Sequence, residues 1–395
     1  MNDAVGAITP NADPVREQPG QVVVTEPPRR EKRGVDLAVL GFIVVSLILI
    51  VVVIYLFAVL GGTALLYAAV LAAIPLTVVL LGIRWVDRWE PEPRVVLLFA
   101  FLWGAAASIF IALVFSGITQ AYVARHGIGK SGADFFESVV QAPIVEEGAK
   151  GIGILLIFLV VRKYFDGPID GIVYGATIAV GFAFTENLQY FGLAIIDHTG
   201  VGETFLLRAV LSPFAHVMFT SATGLLVGIA AQHSNRIGVF GYFIAGLVPA
   251  MLLHAFWNSA TYWASDWYLF YFLVEVPLFV LAIIGVVRLR RHEQAITRAR
   301  LAEYAAVGWF TPSEVNQLST PAGRRQLLAW AKSHGFRRQY RRFVQDSTHL
   351  AFTRQRLISG KDRIGARRYE AGLLEAVVAD RARLAGLPPL LTPAR

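Results

Sequence analysis

Apolar residues fall along this chain in long unbroken runs, without the alternation of a half-buried strand or the stripe of a surface helix. A helix that crosses a hydrocarbon core needs about 20 such residues. Eight segments meet that length, at roughly 37–60, 64–83, 95–118, 138–161, 169–193, 205–231, 237–262 and 268–287. The pattern predicts an all-α polytopic membrane protein, with about eight transmembrane helices in a core spanning 36–288. Residues 1–35 are polar and proline-containing and read as a disordered cytoplasmic tail; no short apolar run of a signal peptide follows the start Met. Residues 289–395 return to helical periodicity with paired basic residues (RRQLLAW, FRRQYRRF, ARRYEAGLLEAVV), and read as a C-terminal soluble helical domain in the cytoplasm.

Composition sharpens this picture. The 395 residues are 55% hydrophobic and 16% charged, which suits a multi-span membrane protein. The chain contains no Cys, which excludes disulfides, a thiolate metal site and a cysteine nucleophile. The net charge of +8 arises after residue 287, so it belongs to the tail. No nucleic-acid fold signature accompanies those basic pairs, so no nucleic-acid partner is expected; the anionic inner leaflet is the natural one.

Lys and Arg near span ends orient the chain. With the N-terminus inside, the inner side carries Arg29, Arg30, Lys32, Arg33, Arg84, Arg88, Arg94, Arg162, Lys163, Arg236, Arg288, Arg290 and Arg291. The outer side offers Arg125 and Lys130, with Arg208 close to a span end. Both termini are therefore expected in the cytoplasm, with the core in the plasma membrane. The segment 84–94, with Trp85 and Trp89, reads as an interfacial belt.

Several ionisable residues interrupt the apolar runs. They are Glu146, Glu147 and Lys150 in the fourth segment, Glu186 in the fifth, His216 in the sixth, His254 in the seventh and Glu275 in the eighth. Left facing lipid as ions, the four carboxylates and the ammonium would cost on the order of 10 kcal/mol or more. They must meet each other, a wet cavity or a metal. Counted from the outer ends of their helices at 1.5 Å per residue, they share a layer roughly 10–16 Å deep, as a single buried site requires. Glu146 and Lys150 are four residues apart and can pair on one face, leaving Glu147, turned by about 100°, for the site. Asn258, one turn after His254, can orient that imidazole or face the substrate. Pro143, Pro213 and Pro249 precede these groups and free helical carbonyls, as an opened cavity would.

Two histidines with glutamates suit zinc, and two His with one Glu leave a position for water. In that reading Glu186, His216 and His254 hold the metal, Glu146 and Glu147 supply the proton-handling carboxylate, Asn258 or Lys150 steadies the oxyanion, and Lys150 supports Glu146. The reaction would be hydrolysis of a peptide bond in a membrane-anchored substrate. HExxH and GxSxG are absent, and the only nearby aspartates, Asp166 and Asp170, sit at the inner boundary in YFDGPIDG.

EEGAK (146–150), FAFTEN (182–187), His216 and HAFWN (254–258) fall on four successive segments, and VDRWEPEP (86–93) precedes an aromatic-rich one. This set resembles the PrsW family of intramembrane proteases, distantly similar to CAAX prenyl endopeptidases and bacteriocin-processing proteins. Over residues 36–288 the resemblance implies an eight-helix core, cleavage of membrane-anchored substrates such as anti-sigma factors, and metalloprotease chemistry. It assigns Glu146, Glu147, Glu186, His216 and His254 to the family's motif acids and histidines. The prenyl endopeptidase relatives carry EExxxR and a Phe four residues before their histidine. This chain has EExxK, and Ser212 stands before His216. Two alternatives stay open: a metal-free glutamate-dependent protease, and a proton-coupled transporter using the same acids and histidines as a relay.

Overall fold

The computed structural model describes residues 32–127, 129–162, 165, 167–233, 236–358 and 366–384. Most of the N-terminal tail, with Arg29 and Arg30, lies outside the described residues, as do Lys163 and Asp166. No strand occurs among the described residues. The helices are α1 (Lys32–Val86), α2 (Arg94–His126), α3 (Ala142–Val160), α4 (Pro168–Ile196), α5 (Ala215–His233), α6 (Arg236–Trp263), α7 (Trp267–Ala306), α8 (Pro312–Ser319), α9 (Pro321–Ser333), α10 (Arg337–Ile358) and α11 (Ala366–Leu384).

Six helical stretches are long and apolar enough to cross a membrane, against the eight segments expected. The difference has two sources. Segments 37–60 and 64–83 are two helices that follow one another within α1, parted at Gly61, where the backbone leaves helical geometry (φ 70°, ψ 164°), and together they make one apolar stretch. Segment 138–161 is helical, but Glu146, Glu147 and Lys150 make it too polar to qualify on composition.

α4 is the central element: 83% of its apolar window is buried, against 11% for α7. Glycines allow its neighbours to approach. A Cβ on Gly171 of α4 would lie 1.9 Å from the Gly224 carbonyl oxygen of α5, and one on Gly104 of α2 would lie 1.8 Å from that of Ile178. Close backbone approach is how helices associate where lipid removes the hydrophobic drive.

Four wide π-type turns interrupt the bundle, at Trp103–Ser108, Phe136–Gln141, Leu206–Leu211 and Tyr271–Glu275. The last three each end two residues before a proline: Pro143, Pro213 and Pro277. A proline ring clashes with the carbonyl four residues back, and the wider turn moves that carbonyl aside. Two of these turns lead into the helices that carry Glu146 and His216. Pro249 lies inside α6 without such a turn.

At the opposite end, the C-terminal part of α7 packs with α8–α11 around Leu301, Leu318, Phe343 and Leu350. Trp89 is not at a lipid interface but 4% exposed, plugged into these helices. Its indole N–H donates to Thr297 Oγ1 at 3.2 Å. Arg324 lies over its ring at 3.4 Å and donates to its carbonyl oxygen at 2.7 Å. Trp85, by contrast, is exposed, with Arg290 over its ring. On the core side of this loop, Tyr174 of α4 donates to Glu92, and Asp87 Oδ1 accepts from the Glu92 N–H at 2.9 Å.

Burial pushes the Asp87 carboxyl up to about 7, against the Glu92 N–H bond that lowers it. A carboxyl that binds its proton more tightly folded than unfolded stabilises the fold at low pH and loses that contribution as pH rises from the unfolded value to the folded one. We expect the junction between the 86–93 loop and the C-terminal helices to loosen as pH rises from about 4 to about 7, and to change little above that. Limited proteolysis across that range checks this, and Asp87→Asn should flatten the pH dependence.

Candidate active site

The four motif segments converge on one cavity of about 520 Å³, bordered by α2, the turn before α3, α4, the turn before α5, and α6. Glu146, Glu186, His216, His254 and Asn258 line it; Glu147 and Lys150 lie behind its wall. The shared layer expected from helix register is thus a real neighbourhood.

The i,i+4 pairing of Glu146 with Lys150 forms, at 3.2 Å, but Lys150 reaches Glu147 as well, at 2.9 Å. One ammonium therefore serves both carboxylates. It also lies 3.2 Å from His216 Nδ1 and 3.7 Å above the Phe182 ring, with no exposure to solvent. Glu147 is fully buried and saturated: Oε1 faces Lys150 and His254 Nδ1 (3.2 Å), and Oε2 accepts from Thr220 Oγ1 at 2.7 Å. Glu146 is the member of the pair that reaches the cavity. This inverts the arrangement expected from spacing, in which Glu147 entered the site and Glu146 stood behind it.

The histidines are each held by a carboxylate from another helix. His216 Nε2 lies 2.9 Å from Glu186 Oε2, and His254 Nδ1 is the atom facing Glu147. Their rings meet edge to face at 5.2 Å, and Phe219 stacks on His254 at 5.0 Å. Lys150 has only protons to offer, so His216 Nδ1 carries a lone pair and Nε2 carries the proton donated to Glu186. Asn258 Nδ2 donates to the Ser138 carbonyl oxygen at 2.8 Å, tying α6 to the wide turn before α3.

Among the described residues, one group has the proximity to hold a metal: Glu146, His216 and His254, with one donor atom from each inside a 4.8 Å span. Glu186, expected in that set, instead backs His216. Glu275 stands apart: the residue is 1% exposed, and among the described residues neither carboxyl oxygen has a hydrogen-bond partner and Lys150 does not touch it.

Two members escaped the sequence reading. Thr220 is a hydroxyl residue of the kind common in apolar helices, and its one signal is its place one turn after His216. Arg208 lies within the segment 205–231 and was assigned to a span end, yet it pairs with Glu186.

The "PrsW family intramembrane metalloprotease" family model matches residues 92–282. The chain is 32% identical over 212 residues to "Protease PrsW" of Clostridioides difficile (strain 630), covering 52% of this chain and 84% of that protein. It is 30% identical over 195 residues to the protein of the same name from Bacillus subtilis (strain 168), covering 49% and 81%. No solved structure matches the chain. With four motif segments closed around one cavity and relatives matched over most of their length, this chain belongs to the PrsW family and is a multi-pass membrane peptidase.

Proposed function

We propose that the protein cuts membrane-anchored protein substrates, of the anti-sigma-factor kind, close to the outer face of the plasma membrane. The observation that carries this is the cavity in which Glu146, His216, His254 and Asn258 meet within the apolar core, beside the buried Lys150. In this reading the chain crosses eight times with both termini cytoplasmic. α1 makes two passes about Gly61, since its apolar 49 residues would extend to about 74 Å as one rod, against a hydrocarbon core of about 30 Å. α3 makes one, its charges facing the site. The tail of residues 1–35 and the helical region 289–395 are then cytoplasmic, and no nucleic acid takes part.

The residues fit a zinc ion. Glu146, His216 and His254 would hold it, His216 through Nδ1 with Lys150 then left to the two glutamates, and each imidazole has its other nitrogen on a carboxylate, Glu186 or Glu147, the usual support for a metal-binding histidine. A zinc bound there would polarise the scissile carbonyl and make its water acidic near neutral pH. The chain's own groups do the rest. Glu147 fixes the His254 ring and anchors Lys150. Lys150 restrains one oxygen of Glu146 and leaves the other towards the cavity. Asn258 has a second amide N–H beyond the one given to Ser138, available to a developing oxyanion. Phe182, Phe219 and Trp257 border the cavity and limit water.

Lys150 favours a second reading. Its ammonium already sits between Glu146, Glu147 and His216, so Glu146 can take a proton from water with no metal present. Metal analysis of purified protein separates the two. Zinc at one equivalent per chain, lost in His216→Ala, is the expected result; its complete absence in active protein selects the metal-free route.

The reading as a whole is tested by co-reconstituting the protein with a single-span substrate and identifying fragments by mass spectrometry. Substrate-driven proton flux in sealed vesicles without any cleavage would return the protein to the transporter class, which the family assignment disfavours.

A further inference from the structure

The helix before His216 is broken: after the wide turn Leu206–Leu211, Ser212 leaves helical geometry (φ −119°, ψ 26°) and Pro213 follows. Arg208 stands on one side of that break and His216 on the other, and both grip the same atom of α4. The Arg208 guanidinium donates through Nη2 to Glu186 Oε2, and His216 Nε2 lies 2.9 Å from that oxygen. Arg208 is itself fixed twice more on α4: Nε donates to Asn187 Oδ1 at 2.7 Å, and its plane lies 3.9 Å from the centre of the Tyr190 ring.

We propose that Arg208 is a positioning residue for the hydrolysis assigned to this cavity, on which the proposal rests. It acts through Glu186 to hold His216 in one tautomer. A carboxylate turns freely about its last torsion unless its oxygens are fixed, and a guanidinium is a rigid fork that fixes one. With Glu186 Oε2 locked, the His216 Nε2–H has one acceptor, and Nδ1 keeps its lone pair on the side of Lys150, Glu146 and His254. Without the guanidinium, Glu186 can rotate away and the imidazole loses one of the two groups that select its tautomer, leaving Lys150 alone at Nδ1. The anchoring on Asn187 and Tyr190 would suffice for a mere clasp between the segments. Only the Glu186 contact leads to the histidine.

The test uses the full-length protein in lipid with a co-reconstituted substrate, and compares Arg208→Gln, Arg208→Lys and Tyr190→Leu. Two readouts are needed: kcat and KM for cleavage, and the ¹⁵N resonances of His216, identified by their loss in His216→Gln. Arg208→Gln should lower kcat by about 10–100-fold with KM little changed, the usual size of losing such outer support. Its His216 signals should move from the Nε2–H pattern towards a tautomer mixture. Arg208→Lys keeps a cation but not the fork, and should recover part of both. Tyr190→Leu removes the ring beneath Arg208 at the cavity wall but not the Arg208–Glu186 bond, and should leave the His216 resonances at wild-type values.

A loss confined to KM would overturn the proposal in favour of substrate binding. An equal shift of the His216 resonances in Tyr190→Leu would reduce Arg208 to a structural clasp. Unchanged His216 signals in Arg208→Gln would also overturn it, whatever the rate. If the wild-type protein cleaves nothing, the hydrolysis reading fails, and the spectra still decide whether Arg208 sets the His216 tautomer.

Discussion

Glu146→Gln should abolish cleavage while leaving the protein folded, and Glu147→Gln should damage the fold first. The two residues are adjacent and chemically identical, and their surroundings separate them. The Glu146 side chain is 12% exposed, lines the cavity and has one partner, Lys150. An amide of the same size can stay there, but it cannot accept a proton or bind a metal as an anion. Loss of a proton-handling carboxylate lowers rates by about 10²–10⁴-fold. Glu147 has no exposure and holds Lys150, His254 and Thr220 together. Replacing it leaves an ammonium short of its nearest counter-charge in a dry interior, a defect of about 3–5 kcal/mol. Thermal unfolding and kcat, measured side by side on both variants, decide this. Unimpaired cleavage by Glu146→Gln would remove it from the chemistry. An inactive Glu147→Gln with an unchanged unfolding midpoint would restore the order expected from spacing.

Lys150→Met should be the most destabilising single change in the core. The methionine fills a similar volume, so the loss is electrostatic rather than one of packing. Removing the ammonium leaves Glu147 and Glu146 as neighbouring carboxylates with no cation between them, and breaking a buried pair from one side costs about 3–5 kcal/mol. The effect should be strongly non-additive. In Lys150→Met/Glu147→Gln the orphaned charge is gone, so the double variant should be more stable than Lys150→Met alone. Unfolding midpoints of the three variants in the same detergent check this. Additive losses would mean that Lys150 stabilises the core through contacts other than Glu147, such as the Phe182 ring.

Much of the site was legible because a bilayer penalises stray charge so heavily. Glu146, Glu147, Lys150, Glu186, His216 and His254 each stood out against an apolar run, and helix rise alone placed them at one depth. Arg208 was missed because it lies near a segment boundary, where a basic residue has an ordinary reading as an interface anchor. Thr220 was missed because a hydroxyl in an apolar helix costs little and draws no notice. Trp89 suggested a lipid interface by residue type, whereas Thr297 and Arg324, more than 200 residues away, take it out of that environment.

The number of crossings shows the same divide. Apolar length marked eight segments, and the break between the first two falls where the backbone leaves helical geometry at Gly61; what hydropathy cannot see is that a helix with three ionisable groups is covered by its neighbours.

The sequence by itself determined the class of the protein, its all-helical construction and the identity of most polar groups in the cavity. Those follow from local properties: run length, residue type and rise per residue. The tertiary structure alone decided which glutamate faces the cavity, which carboxylate backs which histidine, and that Arg208 joins them. Such pairings depend on the rotation of each helix about its axis. Helix rotation is set by packing, here by the Gly171 and Gly104 contacts and the wide turns before Pro143 and Pro213. No spacing within one segment encodes it.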